Sequence, residues 1–448
     1  MPEPRELSIF QAGEYLRRGR LTAQVLVASC LERIEAREPQ VRAWVSLHGL
    51  EAMGQARMMD EEAKAQRWRG PLHGIPMGIK DIIDVKGMET KAGSEAYQEG
   101  VAEKDAECVA RLRDAGAIIL GKTVTTEFAF RNPSQSRNPW NTDYTPGGSS
   151  AGSGAAVGDR MCLAALGTQT AGSVLRPAAF NGVTGFKPSL DEISTAGVVP
   201  LSWQLDHVGT LTRTVEDAHL LWHIMRRQHT LDWQSTRNKL PPPLRPKAPA
   251  RIWRIREFFE LESSPECLVN LEKACLRLEQ NGARIVEQSL PDSFKGLDET
   301  HQIIMATEAG TAHKQRFAEH SQFYSHHMAD LVREGQAMKA TDYIEARRHR
   351  ERMREDFAAA MRDVDVDVAI MPSSVTPPPN LRENITGNAR FNRPWSLCGN
   401  PSLSIATDVT EENLPLAVQL ACAPHMEERL LEIGGWCESV IGFRAQPA

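Results

Sequence analysis

No stretch of the 448-residue chain approaches the roughly 18 consecutive apolar residues of a membrane span. The first ten residues, MPEPRELSIF, are charged and lack the apolar core of a secretory signal. There is no basic block and no acidic tail, and the formal net charge is −6, so neither nucleic acid nor a membrane is an expected partner. The eight cysteines (Cys30, Cys108, Cys162, Cys267, Cys275, Cys398, Cys422 and Cys437) form no C-x-x-C pair, which argues against structural zinc and for the reduced thiols of a cytosolic protein. Five histidines fall between His301 and His327, none with H-E-x-x-H or H-x-x-H spacing, so no metal is expected. No repeat of 20–50 residues is evident. Asn384-Ile385-Thr386 matches a glycosylation sequon and, without a secretion signal, reads as chance. The simplest expectation is a cytoplasmic enzyme of bacterial type.

Hydrophobic residues are 41% and charged residues 25%, ordinary for a globular protein. The length suits two or three domains or one large α/β unit. Apolar spacing predicts two helices within 7–36, the second capped by Thr22, then helices over 51–67, 105–115, 213–226 and 427–440. Strands are predicted at 42–47, at Ile75–Lys80, at 117–120, at Met161–Leu166, near 284–286, at 364–372, at 403–406 and at 417–420. Residues 251–360 otherwise read as strongly helical, and Pro200–Thr212, with Trp203, Asp206 and His207, reads as a loop. KLPPPLRPKAPA (239–250) is a proline-rich surface connector between two topological halves. The polar helices near 300–360 could cover a site or form an oligomer face. Gly116–Thr123, GAIILGKT, matches the phosphate-binding pattern G-x-x-x-x-G-K-[ST], but its variable residues are themselves a strand, so no nucleotide site is expected.

The informative stretch is Pro146–Pro188, PGGSSAGSGAAVGDRMCLAALGTQTAGSVLRPAAFNGVTGFKP. Ser149 and Ser173 each lie among glycines, which permit close backbone approach to a ligand. A serine on such a turn can present its hydroxyl beside backbone N–H donors, the arrangement acyl transfer needs. Flexible Gly/Ser spacers are the other reading. Lys80 ends an apolar strand; it is a snorkelling surface lysine, or, if buried, a base with a depressed pKa.

Three segments in order, PLHGIPMGIKDIIDVKG, PGGSSAGSGAAV and GTQTAGSVLRPAAFNGVTGFKPS, resemble the amidase signature family of serine hydrolases, as do LDHVGTLTRTVED and the GNPSLSI…LPLAVQL tail. The resemblance spans nearly the whole chain, with the two serines 24 residues apart. It implies one α/β/α unit, residues 1–448, around a twisted mixed sheet. It also implies a Ser–cis-Ser–Lys triad: Ser173 as nucleophile, Ser149 as bridging serine after a cis peptide bond, and Lys80 as base. The N–H groups of Thr170, Ala171, Gly172 and Ser173 are the implied oxyanion hole. No metal, nucleotide or organic cofactor is implied, and His207 gets no catalytic role. Departures from the common family pattern are Gln169 for aspartate, Ala171 for glycine and Asn181 for cysteine. An alanine at position 171 would be strained if that position needs positive φ. The GTQT…SVxRPA form resembles malonamidase-like hydrolases, which implies that Arg176 recognises a substrate carboxylate; pairing with an internal carboxylate is the other role open to it. Trp203 is a second candidate substrate contact.

The expected function is hydrolysis of a C–N bond in a small amide, with carbamates (a urethanase activity), ureas and esters open to the same chemistry. The alternatives are a partner-dependent chain similar to the A subunit of glutamyl-tRNA amidotransferase, or a non-catalytic scaffold. A homodimer is the default oligomer.

Overall fold

Alternation of apolar residues in short runs, bounded by glycine, proline and polar turns, produces strands too short to stand alone, and they associate side by side. The computed structural model describes residues 2–227, 243–249 and 251–447. Eleven strands are described: β1 (Trp44–Leu47), β2 (Pro76–Lys80), β3 (Ile118–Thr123), β4 (Ala164–Gln169), β5 (Thr184–Lys187), β6 (His207–Thr212), β7 (Ile252–Ile255), β8 (Ile285–Gln288), β9 (Val368–Pro372), β10 (Ser402–Val409) and β11 (Pro415–Ala421). They form one mixed sheet in the order β1-β3-β2-β4-β6-β5-β10-β11-β9-β7-β8. β2 runs parallel to β3 and β4, and β7 parallel to β8 and β9. The antiparallel pair β5–β10 joins the two halves. Every residue of β2, β3, β4, β6, β9 and β11 is buried, so both faces of the sheet are covered.

The helices that matter for function are α1 (Ala151–Gly158), α2 (Leu175–Asn181), α3 (Val215–Met225), α4 (Leu297–Ala312), α5 (His326–Ala337), α6 (Ala340–Asp363) and α7 (Glu427–Ile441). Thr22 caps the Ala23–Val41 helix, its side chain accepting from Val25 N–H. All eight cysteines are unpaired and buried. No described helix is long and apolar enough to cross a membrane.

Several expectations need correcting. His207 lies not in a loop but at the start of β6, paired with Gln169 of β4. β5 is invisible to pattern reading because four residues, Thr-Gly-Phe-Lys, carry too little periodicity. β7 hides inside a region that reads as helical because Arg254 breaks its apolar run; the guanidinium is accommodated by Glu260 at 2.7 Å. The strand expected at Met161–Leu166 begins three residues later, at Ala164. Of the proline-rich connector, Lys239–Pro242 and Ala250 lie outside the described residues, and 243–249 run without helix or strand, Leu244 buried.

Lys122, the lysine of the phosphate-loop look-alike, is fully buried in β3 and ion-paired with Asp81 at 2.9 Å. Register sets it level with Ile79, hence on the opposite face of the sheet from Lys80.

Gly152, in the first turn of α1, is where the Ser149 loop meets the sheet. A Cβ there would sit 2.1 Å from the Ala43 carbonyl oxygen and 2.4 Å from Val124 N, both backbone atoms that cannot step aside. Gly152→Ala is therefore expected to destabilise the protein by about 1–3 kcal/mol or more in chemical denaturation; an unchanged midpoint would contradict this packing.

Candidate active site

Lys80 is the last residue of β2, and Thr168 lies near the end of the neighbouring parallel β4. Ligand sites in such sheets form beyond the carboxyl ends of parallel strands, and this one follows that rule. Lys80 is fully buried. Its Nζ lies 2.7 Å from Ser149 Oγ and 2.7 Å from Thr168 Oγ1, with the Thr168 carbonyl at 3.4 Å. Among the described residues it has no carboxylate partner. Burial pushes its pKa well below 10.5, with the Arg176 charge acting in the same direction and Asp206 opposing.

The peptide bond Gly148–Ser149 is cis. Ser149 is buried behind the surface, and Ser173 stands in the wall of a cavity of about 360 Å³. The two serine loops are tied together where Ser150 N–H donates to the Ser173 carbonyl at 3.3 Å.

The turn from β4 into α2 is held by its carbonyls. Those of Thr170, Ala171 and Gly172 accept from His301 Nε2, Ser396 Oγ and Arg176 N at 3.0, 2.8 and 3.0 Å. With those oxygens engaged elsewhere, the N–H groups of Ala171, Gly172 and Ser173 have no protein acceptor among the described residues. Ala171 is not at positive φ, so the alanine is unstrained. Gly172 is closely packed: a Cβ there would meet Asn392 Oδ1 at 2.6 Å and Ala389 Cβ at 3.1 Å. His301 is held neutral, its pKa pushed down to about 3 by burial and the Arg393 charge, so the proton on Nε2 is the one given to Thr170.

Gln169, which stands where the common family pattern has aspartate, holds the start of α2. Its Oε1 accepts from Val174 N and Leu175 N at 2.9 and 3.0 Å, capping α2, while its Nε2 donates to Ser396 Oγ at 3.0 Å. Asn181 donates to the Pro146 and Pro177 carbonyls at 2.8 and 2.7 Å, bracing the start of the Ser149 loop against α2.

Arg176 is buried and lines the cavity. Its observed contacts do not include the internal carboxylate of the second expected role. It donates to the carbonyls of Gly148 and Gly387 at 2.6 and 2.8 Å and to Thr386 Oγ1 at 3.3 Å, with no carboxylate partner among the described residues. Its buried Nε has no partner, and burial beside Arg393 lowers its pKa to about 10. Trp203 is 50% exposed and is not part of the cavity wall, though its neighbour Leu201 is. His207 is buried and neutral, its Nδ1 facing the Leu205 and Gln169 carbonyls at 2.6 and 3.2 Å.

Several residues of the site are not marked in the sequence. Thr168 gives no signal, being one small polar residue inside a strand. Asp206, its pKa raised to about 6 by burial, accepts from Thr170 Oγ1 at 2.5 Å and from Leu201 and Ser202 N–H. The sequon that reads as chance, Asn384-Ile385-Thr386, forms part of the wall with Gly387–Ala389. From the 300–360 helices come His301, Gln302 and Met305 of α4 and His327 of α5. Tyr324 instead packs, stacked on Phe128 at 5.1 Å.

The Amidase family model matches residues 25–431. The chain belongs to the amidase signature family. It is 32% identical to an amidase of Pseudomonas putida over 96% of this chain and 94% of the relative. It is equally 32% identical to the A subunit of the glutamyl-tRNA(Gln) amidotransferase of Roseiflexus castenholzii, over 98% and 97% of the two chains. The peptide amidase of Stenotrophomonas maltophilia superposes with a TM-score of 0.85 at 28% identity, covering 99% of this chain and 98% of that one. This amidase-family chain is thus a hydrolase of carbon–nitrogen bonds.

Gln169→Ala would leave the Val174 and Leu175 N–H groups buried without an acceptor. It is expected to cost roughly 1–3 kcal/mol in a urea melt; a variant as stable as the parent would mean that the turn holds itself.

Proposed function

We propose that the whole chain is one catalytic unit that hydrolyses a small amide through an acyl-enzyme on Ser173, with Ser149 relaying the proton to Lys80. The observation that carries this reading is the buried Lys80 amine, deprived of a carboxylate and 2.7 Å from Ser149 Oγ. An amine so placed favours the neutral form and accepts a proton. Ser173 Oγ attacks the carbonyl carbon as its proton passes through Ser149 to Lys80. The oxyanion is met by the N–H groups of the 170–173 turn. The proton returns through Ser149 to the leaving amine, and water then hydrolyses the acyl-enzyme by the same relay in reverse.

The substrate in this reading is small and carries an anionic group. The cavity wall includes Arg131, Arg176 and Arg393 and no Asp or Glu. Like Arg393, Arg176 keeps its buried Nε without a partner. Its other donors hold the Gly148 carbonyl, which gives the same side chain a part in placing Ser149.

A second reading, a transamidating component of a larger enzyme, is supported by similarity to the Roseiflexus amidotransferase chain over 98% of the length. It requires a partner for activity. Turnover of small amides by the purified chain alone favours the hydrolase; turnover only with a partner favours the transamidating reading.

Ser173→Ala is expected to abolish turnover and Lys80→Ala to reduce it by at least about 10³-fold, both remaining folded by circular dichroism. Near-normal turnover by either removes the triad, and failure of wild-type Ser173 to react with a fluorophosphonate probe points to a scaffold. Because the base must be neutral, kcat/KM should fall as pH drops through the depressed Lys80 pKa, with a midpoint well below 10.5. An activity that tracks an ordinary lysine would contradict the assignment.

Across a panel of carboxylate-bearing amides, neutral aryl amides, carbamates, ureas and esters, Arg176→Gln should lower kcat/KM for the acidic amides roughly 10- to 100-fold more than for neutral ones. Equal losses would confine Arg176 to holding Gly148.

A further inference from the structure

Outside the cavity, two histidines and a carboxylate converge from two helices. His219 and His223 lie one turn apart on the same face of α3, and Glu428 stands in the first turn of α7. Glu428 Oε1 is 3.0 Å from His219 Nε2, Glu428 Oε2 is 3.2 Å from His223 Nε2, and the two Nε2 atoms are 3.0 Å apart. This cluster is hard to satisfy with protons alone. Each Nε2 offers one in-plane site, a proton or a lone pair, and the carboxylate only accepts. If both nitrogens carry protons, the two N–H groups face each other at 3.0 Å. If one does not, its lone pair faces the carboxylate. A cation at the common point is the one occupant that all three groups favour together.

The chemistry and size agree. Imidazole nitrogens with one carboxylate oxygen are a donor set for zinc and its first-row neighbours. The two Nε2 atoms stand 3.0 Å apart, close to the about 3.3 Å edge of a tetrahedron with zinc-length bonds, and each has its own Glu428 oxygen beside it, at 3.0 and 3.2 Å. The His219 and His223 side chains are mostly buried, at 11% and 21% exposure, while Glu428 is 53% exposed, which leaves an open side for water. The helices are already tied at the other end of α3, where Glu438 of α7 accepts from Val215 N–H at 3.0 Å.

We propose that His219, His223 and Glu428 form a divalent transition-metal site of zinc type, with water completing the coordination, that clasps α3 to α7. No residue of either helix lines the cavity, so the bound metal is structural, and this proposal stands independently of the amidase mechanism.

The test uses the full chain, stripped with a chelator and titrated with Zn²⁺ against a chromophoric competitor and, separately, with Co²⁺. The expected result is one metal per chain, visible d–d absorption from cobalt in a tetrahedral field, and a rise in Tm on saturation. His223→Gln and Glu428→Gln should each weaken binding roughly 100-fold, while His425→Gln leaves it unchanged. His425 belongs to a separate group with Glu192 and Glu427. No stoichiometric binding, or binding unaltered in both site variants, overturns the proposal. Loss of binding in His425→Gln moves the metal to that other group and overturns it as well. Should His223→Gln fail to fold, Glu428→Gln decides, since its side chain is half exposed and its size is kept.

Discussion

Lys80 is a buried amine with no carboxylate in contact among the described residues, and the rest of the site follows from that burial. A buried lysine is tolerated when a carboxylate compensates it, as Asp81 does for Lys122 on the other face of the same strands. Lys80 has two hydroxyls and a carbonyl instead. Neutral groups compensate a charge poorly, so the neutral amine is favoured. Thr168 and Ser149 then have distinct parts. The strand fixes Thr168, which orients the amine from within the sheet. Ser149 arrives from a loop that is braced by Arg176 at Gly148 and by Asn181 at Pro146.

The turn before α2 is built on a related division of labour. Its carbonyls are used by His301, Ser396 and the helix backbone, and the N–H groups of Ala171, Gly172 and Ser173 have no protein acceptor among the described residues. The neutral state of His301 belongs to this arrangement, because a ring donating from Nε2 to Thr170 needs no charge. Gln169 joins the same network through Ser396, so strand β4, the turn, and the segment around residue 396 hold one shape together.

Much of this is legible in the residues. Glycines around Ser149 and Ser173, and a lysine at the end of an apolar strand, mark positions where local chemistry is unusual, and the structure brings Lys80 and Ser149 into contact and ties Ser149's neighbour to Ser173. Thr168, Asp206 and Thr386 are not legible, because their importance comes only from what the fold sets beside them. Asn384–Thr386 shows the limit well: a tripeptide that reads as accidental forms cavity wall because the chain returns there from more than 200 residues away. β5 and β7 escape notice for a simpler reason. Four-residue strands draw their stability from neighbours in the sheet rather than from their own pattern.

The order of the strands also bears on how the protein is made. Strands β1 to β6, with Lys80, Ser149 and Ser173, emerge first and fill one side of the sheet, while β7 to β11 fill the other and meet them only at β5–β10. The Asn384–Ala389 wall and the acceptors that hold the guanidinium of Arg176 at Gly387 and Thr386 belong to the later half. A ribosome that has synthesised half of the chain has therefore released Lys80, Ser149 and Ser173, but only the part of the cavity wall that lies within residues 129–133 and 170–176 and at Leu201. The cavity is complete only once Arg393 has been made, so the nascent chain carries Lys80, Ser149 and Ser173 without the whole wall around them.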